Sequence, residues 1–476
     1  MDLSSALSKT KREVLYRHYA DKLVVNPELN RALVSFQANK NIPFYRWLKY
    51  KEAFSSGLVQ YCLQKFQPPR MSRLRVLDPF AGAGTTLTTA TKEGWHATGI
   101  ELLPVGVAAI RARLLADSVD IRSFEYYLNR LEKISWHSSQ LNGFKFPHLR
   151  ITDKAFPEQT ERAFSTYHAF LNGIRRKDVR FLFWFACLSV LEDVSYTRKD
   201  GQYLRWDSRS GRLLKSNFNK GPIRDFCSAI TGKLRLMLQD IRQRGGERFS
   251  RNVNVIEGSC LTQLCRLPDA SFDLVITSPP YCNRYDYTRT YALELAFLGH
   301  NEESVKQLRQ SLLSCTVENK TKRIQLAQEY RRRNLEGRYK AAVTAFASQE
   351  ALHEVLALLY AAQEEGKLNN NNIPNMVENY FFEMNLAIRE LSRVLAPGGR
   401  VVMVNDNVQY NGEEVSVDLI LSDFAARSGL TIDHIWVLPR GKGNSSQQMG
   451  THGRNELRKC VYVWSKRNPR LSGRQA

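Results

Sequence analysis

The run Asp273-Leu274-Val275-Ile276-Thr277-Ser278-Pro279-Pro280-Tyr281 joins a short apolar segment to a double proline. Residues 273–276 read as a brief buried strand, and two prolines stop its ladder because proline has no amide N–H and a fixed φ. A rigid loop therefore stands at the carboxyl end of a strand, where open α/β sheets hold their ligands. Ser278 and the Pro279 carbonyl can accept hydrogen bonds from an amino group, and Tyr281 can stack on a flat ring. Taken alone, the stretch is equally readable as a strand end and a turn.

A second strand end carries glycines. Leu74 to Leu77 reads as a strand that runs into Asp78-Pro79-Phe80-Ala81-Gly82-Ala83-Gly84-Thr85-Thr86. The glycines let backbone approach a ligand closely, and Thr85 or Thr86 opens a helix reaching about Glu93. Leu87 stands where the dinucleotide fingerprint has its third glycine, and no Gly-Lys-Thr/Ser follows, which excludes a P-loop. A strand from Trp95 to Ile100 then ends at Glu101. An acidic residue ~20 positions beyond the glycines is placed to hold ribose hydroxyls, the alternative being a solvated helix cap.

The 476 residues carry a formal net charge of +22, which favours a polyanionic partner. Nucleic acid is the first candidate and an anionic membrane surface the competitor. No apolar run is long enough to span a bilayer, and the start, Met1 to Ser5, lacks a signal-peptide core, so a cytoplasmic protein is expected. Eight cysteines without a C-x-x-C pair read as reduced and buried, with no metal site. The segment Ser195 to Trp206 contains Asp200-Gly201 between aromatic and β-branched residues, the signature of a hairpin. Between Arg198 and Arg224 stand eight Lys/Arg against two Asp. Arg198, Lys199, Arg205, Trp206, Arg209 and Lys215 are candidates there for phosphate positioning and base stacking. An ordinary solvated basic face is the alternative. Arg440 and Lys442, in a glycine-rich loop, read as a phosphate clamp or as a loose connection.

With these residues laid out, the chain resembles the amino-methylating DNA methyltransferases that use S-adenosylmethionine. Asp78 to Thr85 matches that family's cofactor motif, and Thr277 to Tyr281 its catalytic motif. Leu395-Ala396-Pro397-Gly398-Gly399 resembles the lead-in to its fifth strand. The resemblance implies a Rossmann-like α/β fold, a mostly parallel seven-stranded sheet with helices on both faces, plus two insertions. It implies cofactor contacts from Lys51, Phe54 and Ser55, which precede the motif, and from Asp78, Phe80, Gly82, Gly84, Thr85, Glu101 and Ser259. The family has an acidic residue where Ser259 lies, so Glu257 is a possible substitute. Catalysis falls to Ser278, Pro279, Pro280 and Tyr281 on a base flipped out of duplex DNA. Serine at the head of this motif is typical of cytosine-N4 enzymes, and Asp or Asn of adenine-N6 enzymes. Cytosine-N4 is therefore the expectation, with adenine-N6, an RNA base methyltransferase and a non-catalytic DNA-binding protein as alternatives. Cys282 is held as structural, because the family's C5 branch uses a Pro-Cys dipeptide that this motif lacks.

The expected organisation is an N-terminal helical region (1–70) packing on the cofactor site. Core segments follow at 71–117, 252–299 and 373–466, with a tail at 467–476. The insertion 118–251 is the expected target recognition region, with the helical insertion 300–372 as second choice. Double-stranded DNA is the implied partner, with a cognate restriction endonuclease as a further one, in the nucleoid of a bacterial or archaeal cell.

Overall fold

The structure is a computed structural model and describes residues 10–67, 74–136, 144–200, 203–214, 217–244, 252–439 and 457–468. Lys215, Arg440 and Lys442 lie outside the described residues. In chain order the strands are β1 (Leu23–Val25), β2 (Arg75–Asp78), β3 (His96–Glu101), β4 (Thr197–Asp200), β5 (Tyr203–Trp206) and β6 (Val253–Glu257). They continue with β7 (Phe272–Thr277), β8 (Leu395–Asp406), β9 (Val408–Tyr410), β10 (Glu413–Val415), β11 (Leu430–Val437) and β12 (Lys459–Lys466).

Eight of them form one sheet in the order β1-β11-β12-β8-β7-β2-β3-β6. β6, β3, β2, β7 and β8 are mutually parallel, and β12 runs antiparallel to both β8 and β11. The chain builds outward from β2 through β3 to β6, then returns to lay β7 on the other side of β2. β2 and β7 are thus neighbours at the point where strand order reverses, and the crevice there opens at their carboxyl ends. Both motifs sit at that crevice.

Two expectations about the sheet need correction. It has eight strands rather than seven, because Leu23–Val25, in the segment expected to be helical, pairs parallel with Ile435–Val437. Three residues are too few to show a strand period, and it is the open edge of β11 that recruits them. The helix Ile373–Val394 also ends before Pro397-Gly398-Gly399, and β8 already includes those residues. Its register against β7 jumps from Phe272↔Leu395 to Leu274↔Arg400, so the Pro-Gly-Gly turn is an excursion within the strand.

The insertion 118–251 packs the helices Ile121–Leu131, Glu158–Asn172, Lys177–Val190 and Phe226–Gln243 around an aromatic-rich core. That core is continuous with Phe44, Trp47, Leu48 and Tyr50 from the N-terminal segment. Asp240, fully buried, fixes this junction: it accepts from the Phe44 amide at 2.9 Å and Trp47 Nε1 at 2.9 Å, and pairs with Arg46. The helices Arg323–Arg332, Glu336–Ala347 and Glu350–Glu364 instead join the core of the sheet with the helix Ile373–Val394, whereas Glu302–Ser311 packs Val305 and Leu308 into the core of the first insertion. Among the described residues no helix is long and apolar enough to cross a membrane. All eight cysteines are unpaired, seven of them buried.

Candidate active site

Asp78 ends β2 and holds the crevice together. Its carboxylate accepts from the Phe80 amide at 3.1 Å, Thr86 Oγ1 at 2.7 Å and Thr277 Oγ1 at 2.8 Å. One buried side chain therefore ties the glycine loop, the helix Thr85–Lys92 and β7 to each other. Burial pushes its carboxyl up to about 6.

The two glycines do different work. Gly82 has φ +53°, and a Cβ there would lie 3.1 Å from the Tyr50 ring. Gly84 has φ +77°, and its Cβ would meet Ile110 at 2.7 Å. Gly82 lines the crevice, whereas Gly84 lets the helix Pro104–Leu115 close against the loop and is not among the lining residues. Glu101, at the tip of β3, accepts from the Gly82 amide at 2.5 Å and the Leu103 amide at 2.6 Å. Burial pushes its carboxyl up to about 8.

These groups line one pocket together with Phe54, Phe80, Thr85, Ser259 and, from the second insertion, Leu312 and Leu313. Flat apolar walls, a carboxylate facing inward and a glycine-lined floor fit a nucleoside bearing ribose hydroxyls. Two further residues expected at the cofactor do not line this pocket. Ser55 is the cap of the helix Ser56–Phe66, accepting from the Leu58 amide at 3.2 Å, and is consumed by that role. Lys51 points the other way, donating to the Lys199 carbonyl and lining a second cavity. Ser259 does line the pocket, its hydroxyl donating to the Ser311 carbonyl at 2.9 Å. Glu257 is exposed and not among the lining residues.

The second cavity, of about 290 Å³, is walled by Ser278, Pro279 and Tyr281 with Tyr285, Tyr287 and Lys459. Ser278 Oγ donates to the Val404 carbonyl at 3.2 Å and lies 3.3 Å from the Tyr281 hydroxyl. A hydroxyl whose proton is so engaged turns its lone pairs elsewhere, as an acceptor. Pro280 lines the first pocket and Pro279 the second, so the double proline stands between them. Lys459 Nζ sits 5.6 Å from the Tyr281 ring centroid and pairs with Asp406 at 3.2 Å. Cys282 is fully buried, its carbonyl accepting from Tyr410 at 2.6 Å and its thiol pushed up by burial.

Four residues line both spaces: Glu52, Ala53, Ser278 and Tyr287. Glu52 was not singled out from the sequence. Its oxygens accept from Tyr285 and, at 2.7 Å, from Tyr291. Lys459 left no local signal either, because only the register of β12 against β8 brings it to the cavity.

The hairpin β4–β5 forms as expected, but its cations divide. Lys199 is 2% exposed, paired with Glu294 and 4.5 Å over the Tyr291 ring. It is a core ion pair and not a nucleic-acid contact, because strand alternation turns it inward while Arg198 faces solvent. Arg209, though exposed, is locked to Asp207 at 2.7 Å and to the Gly221 carbonyl at 2.7 Å. Arg205 stacks on Phe218 and pairs with Asp200 at 3.1 Å. Trp206 is half-buried under Arg212.

No protein-family model matches the chain. Curated relatives do. It is 46% identical, over 95% of its length and 93% of theirs, to proteins named type II methyltransferase M.AvaI from Nostoc sp. and Anabaena variabilis. It is 39% identical, over 97% of its length and 92% of the relative's, to type II methyltransferase M.BsoBI from Geobacillus stearothermophilus. The chain belongs to the type II methyltransferase family. The resemblance to DNA methyltransferases carried by Asp78–Thr85 and Thr277–Tyr281 is thereby borne out. In this methyltransferase the crevice between β2 and β7 is the place where both family motifs meet.

Proposed function

We propose that this methyltransferase transfers a methyl group from S-adenosylmethionine to the exocyclic N4 of cytosine in double-stranded DNA, as the modification half of a restriction system. One observation carries the reading: Ser278 lines both the pocket under the glycine loop and the cavity walled by Tyr281. The cofactor, when bound, supplies an electrophilic methyl on sulfur. Glu101 would hold its ribose hydroxyls, and Phe54 and Phe80 would flank the adenosine.

The chain's own residues prepare the nucleophile. An aromatic amino group is a poor nucleophile because its lone pair is delocalised into the ring. Hydrogen bonds from its two N–H groups to Ser278 Oγ and the Pro279 carbonyl pyramidalise the nitrogen and aim the lone pair at the first pocket. Tyr281 stacks on the base, which reaches the cavity only by leaving the duplex, at an unstacking cost of a few kcal/mol. Lys459 favours cytosine over adenine, since its remaining N–H donors suit the ring carbonyl of cytosine, where adenine carries only C–H.

The recognition region is proposed within 118–251. β4 touches Lys51 at the cavity, and β5 packs on the helix Tyr287–Thr290 just beyond the catalytic loop. Arg198 is the cation of this hairpin best placed to meet phosphate. Nucleoside analysis of duplex DNA from an expressing host tests the reading. N4-methylcytosine is the expected product; N6-methyladenine, 5-methylcytosine or unmodified DNA overturns it.

A further inference from the structure

We propose that Glu52 takes up the proton released by the exocyclic nitrogen during methyl transfer. The inference rests on the amino-methylation reading and adds to it the destination of the proton. Methylation converts the amino group to an ammonium that must lose a proton. The acceptor has to lie where the two spaces meet, and four residues line both: Glu52, Ala53, Ser278 and Tyr287. Ala53 has no ionisable group. Ser278 is an alcohol whose proton already goes to the Val404 carbonyl. The Tyr287 phenol is pushed further above its usual range by burial and stays protonated. Glu52 alone of the four is a base near neutral pH.

The surroundings of Glu52 suit that work. Tyr285 donates to one carboxylate oxygen and Tyr291 to the other, at 2.7 Å. The carboxylate is thereby fixed in place while each oxygen keeps a free lone-pair direction. The other groups facing it are Tyr50 and Lys51 on its own segment, Tyr287 beyond the catalytic loop, and Lys199 on β4. Burial raises the carboxyl above its usual range, against the pull of the two phenols and Lys199, which makes it a stronger base than a surface carboxylate. The step balances. Once the nitrogen lone pair has formed the N–C bond to the methyl group, the bond from nitrogen to the ring is single and can turn; one N–H leaves its first acceptor, its electrons return to nitrogen and its proton bonds a Glu52 oxygen. The positive charge that arrives with the methyl group is cancelled by the negative charge of the carboxylate, and no ion is left in the crevice.

The test uses the full chain with S-adenosylmethionine and a duplex that the wild-type protein methylates. Single-turnover rates are measured across pH, together with cofactor affinity at equilibrium. The expected result for Glu52→Gln is a rate lower by about 100-fold, with the fall of rate toward acid abolished and cofactor affinity within about threefold of wild type. A wild-type acid limb that persists in this variant, or a rate loss explained by weaker cofactor binding, overturns the assignment. If Glu52→Gln does not fold, Tyr285→Phe removes one donor to the carboxylate and should move the acid limb to higher pH. An unmoved limb overturns the proposal as well. An infrared pH titration of the cofactor-free protein supplies a readout apart from turnover: of the carboxyls titrating above the usual range, those of Asp78 and Glu101 should persist in Glu52→Gln and one contribution should vanish. The wild-type product identifies the base, so failure of the cytosine reading shows in the wild-type digest and failure of the Glu52 assignment only in the variants.

Discussion

Ser278 and Glu101 show how single side chains at this crevice depend on where their hydrogen bonds go. With Ser278 as one of two acceptors for the target amino group, Ser278→Ala should lower kcat/KM by about 10²–10³, the usual cost of one preorganised hydrogen-bond partner in the transition state. Binding of duplex DNA should stay close to wild type, which a filter-binding assay beside the kinetics checks. Glu101 gives a pH dependence. Its folded carboxyl, pushed up to about 8, lies above the ordinary value of 4.5. The unfolded chain therefore binds fewer protons between those values, and Glu101 subtracts stability progressively as pH rises through that window. Ribose hydroxyls complement the ionised form, so cofactor affinity should tighten about fivefold from pH 7 to pH 8, with proton release. Calorimetry in buffers of different ionisation enthalpy measures both, and Glu101→Ala should abolish the slope. Glu101 was singled out in the sequence from its spacing along one βαβ unit, and Asp78 through the family resemblance of its motif. Glu52 was not, since the tyrosines that define it lie 233 and 239 residues away.

At the scale of the element, the hairpin β4–β5 was readable as a turn but not as a pair of faces. Arg198 and Lys199 are adjacent cations, and four-residue strands carry too little period to say which one turns inward. Glu294, the partner that settles it, is 95 residues further on. The two should behave differently. Arg198→Ala is expected to weaken DNA binding evenly across sequences and to reduce the salt slope of log Kd by about 1, with stability unchanged. Lys199→Ala leaves Glu294 buried and unpaired, and should destabilise the fold by about 3–5 kcal/mol in urea unfolding. A salt slope altered by Lys199→Met in a still-folded protein would contradict the inward placement. The segment Leu395–Gly399, expected as the lead-in to a strand, lies inside β8, because a turn signal marks a local excursion and cannot say whether a strand runs on either side of it.

For the whole molecule, the parallel run from β6 to β8 was legible because each strand is a compact apolar segment ending in turn chemistry. The eighth strand was not, because β1 exists only through its pairing with the edge of β11. Removing residues 1–25 should expose that edge, lower Tm and promote self-association, which scanning calorimetry and light scattering can follow. The net charge of +22 remains a property of the full surface, and DNA affinity should fall steeply with added salt.

Asp240 bears on how far the molecule can be rebuilt. It lies on a helix of the first insertion, yet it anchors the segment 44–47 that leads into Glu52. If 118–251 reads the target, as proposed, then recognition and the segment leading into Glu52 are not exchangeable modules in this chain. A chimera that replaces 118–251 wholesale discards the anchor of the segment 44–47. A graft limited to the hairpin and its following loop, with the helix Phe226–Gln243 retained, keeps that anchor in place and is the sounder route to a new target site.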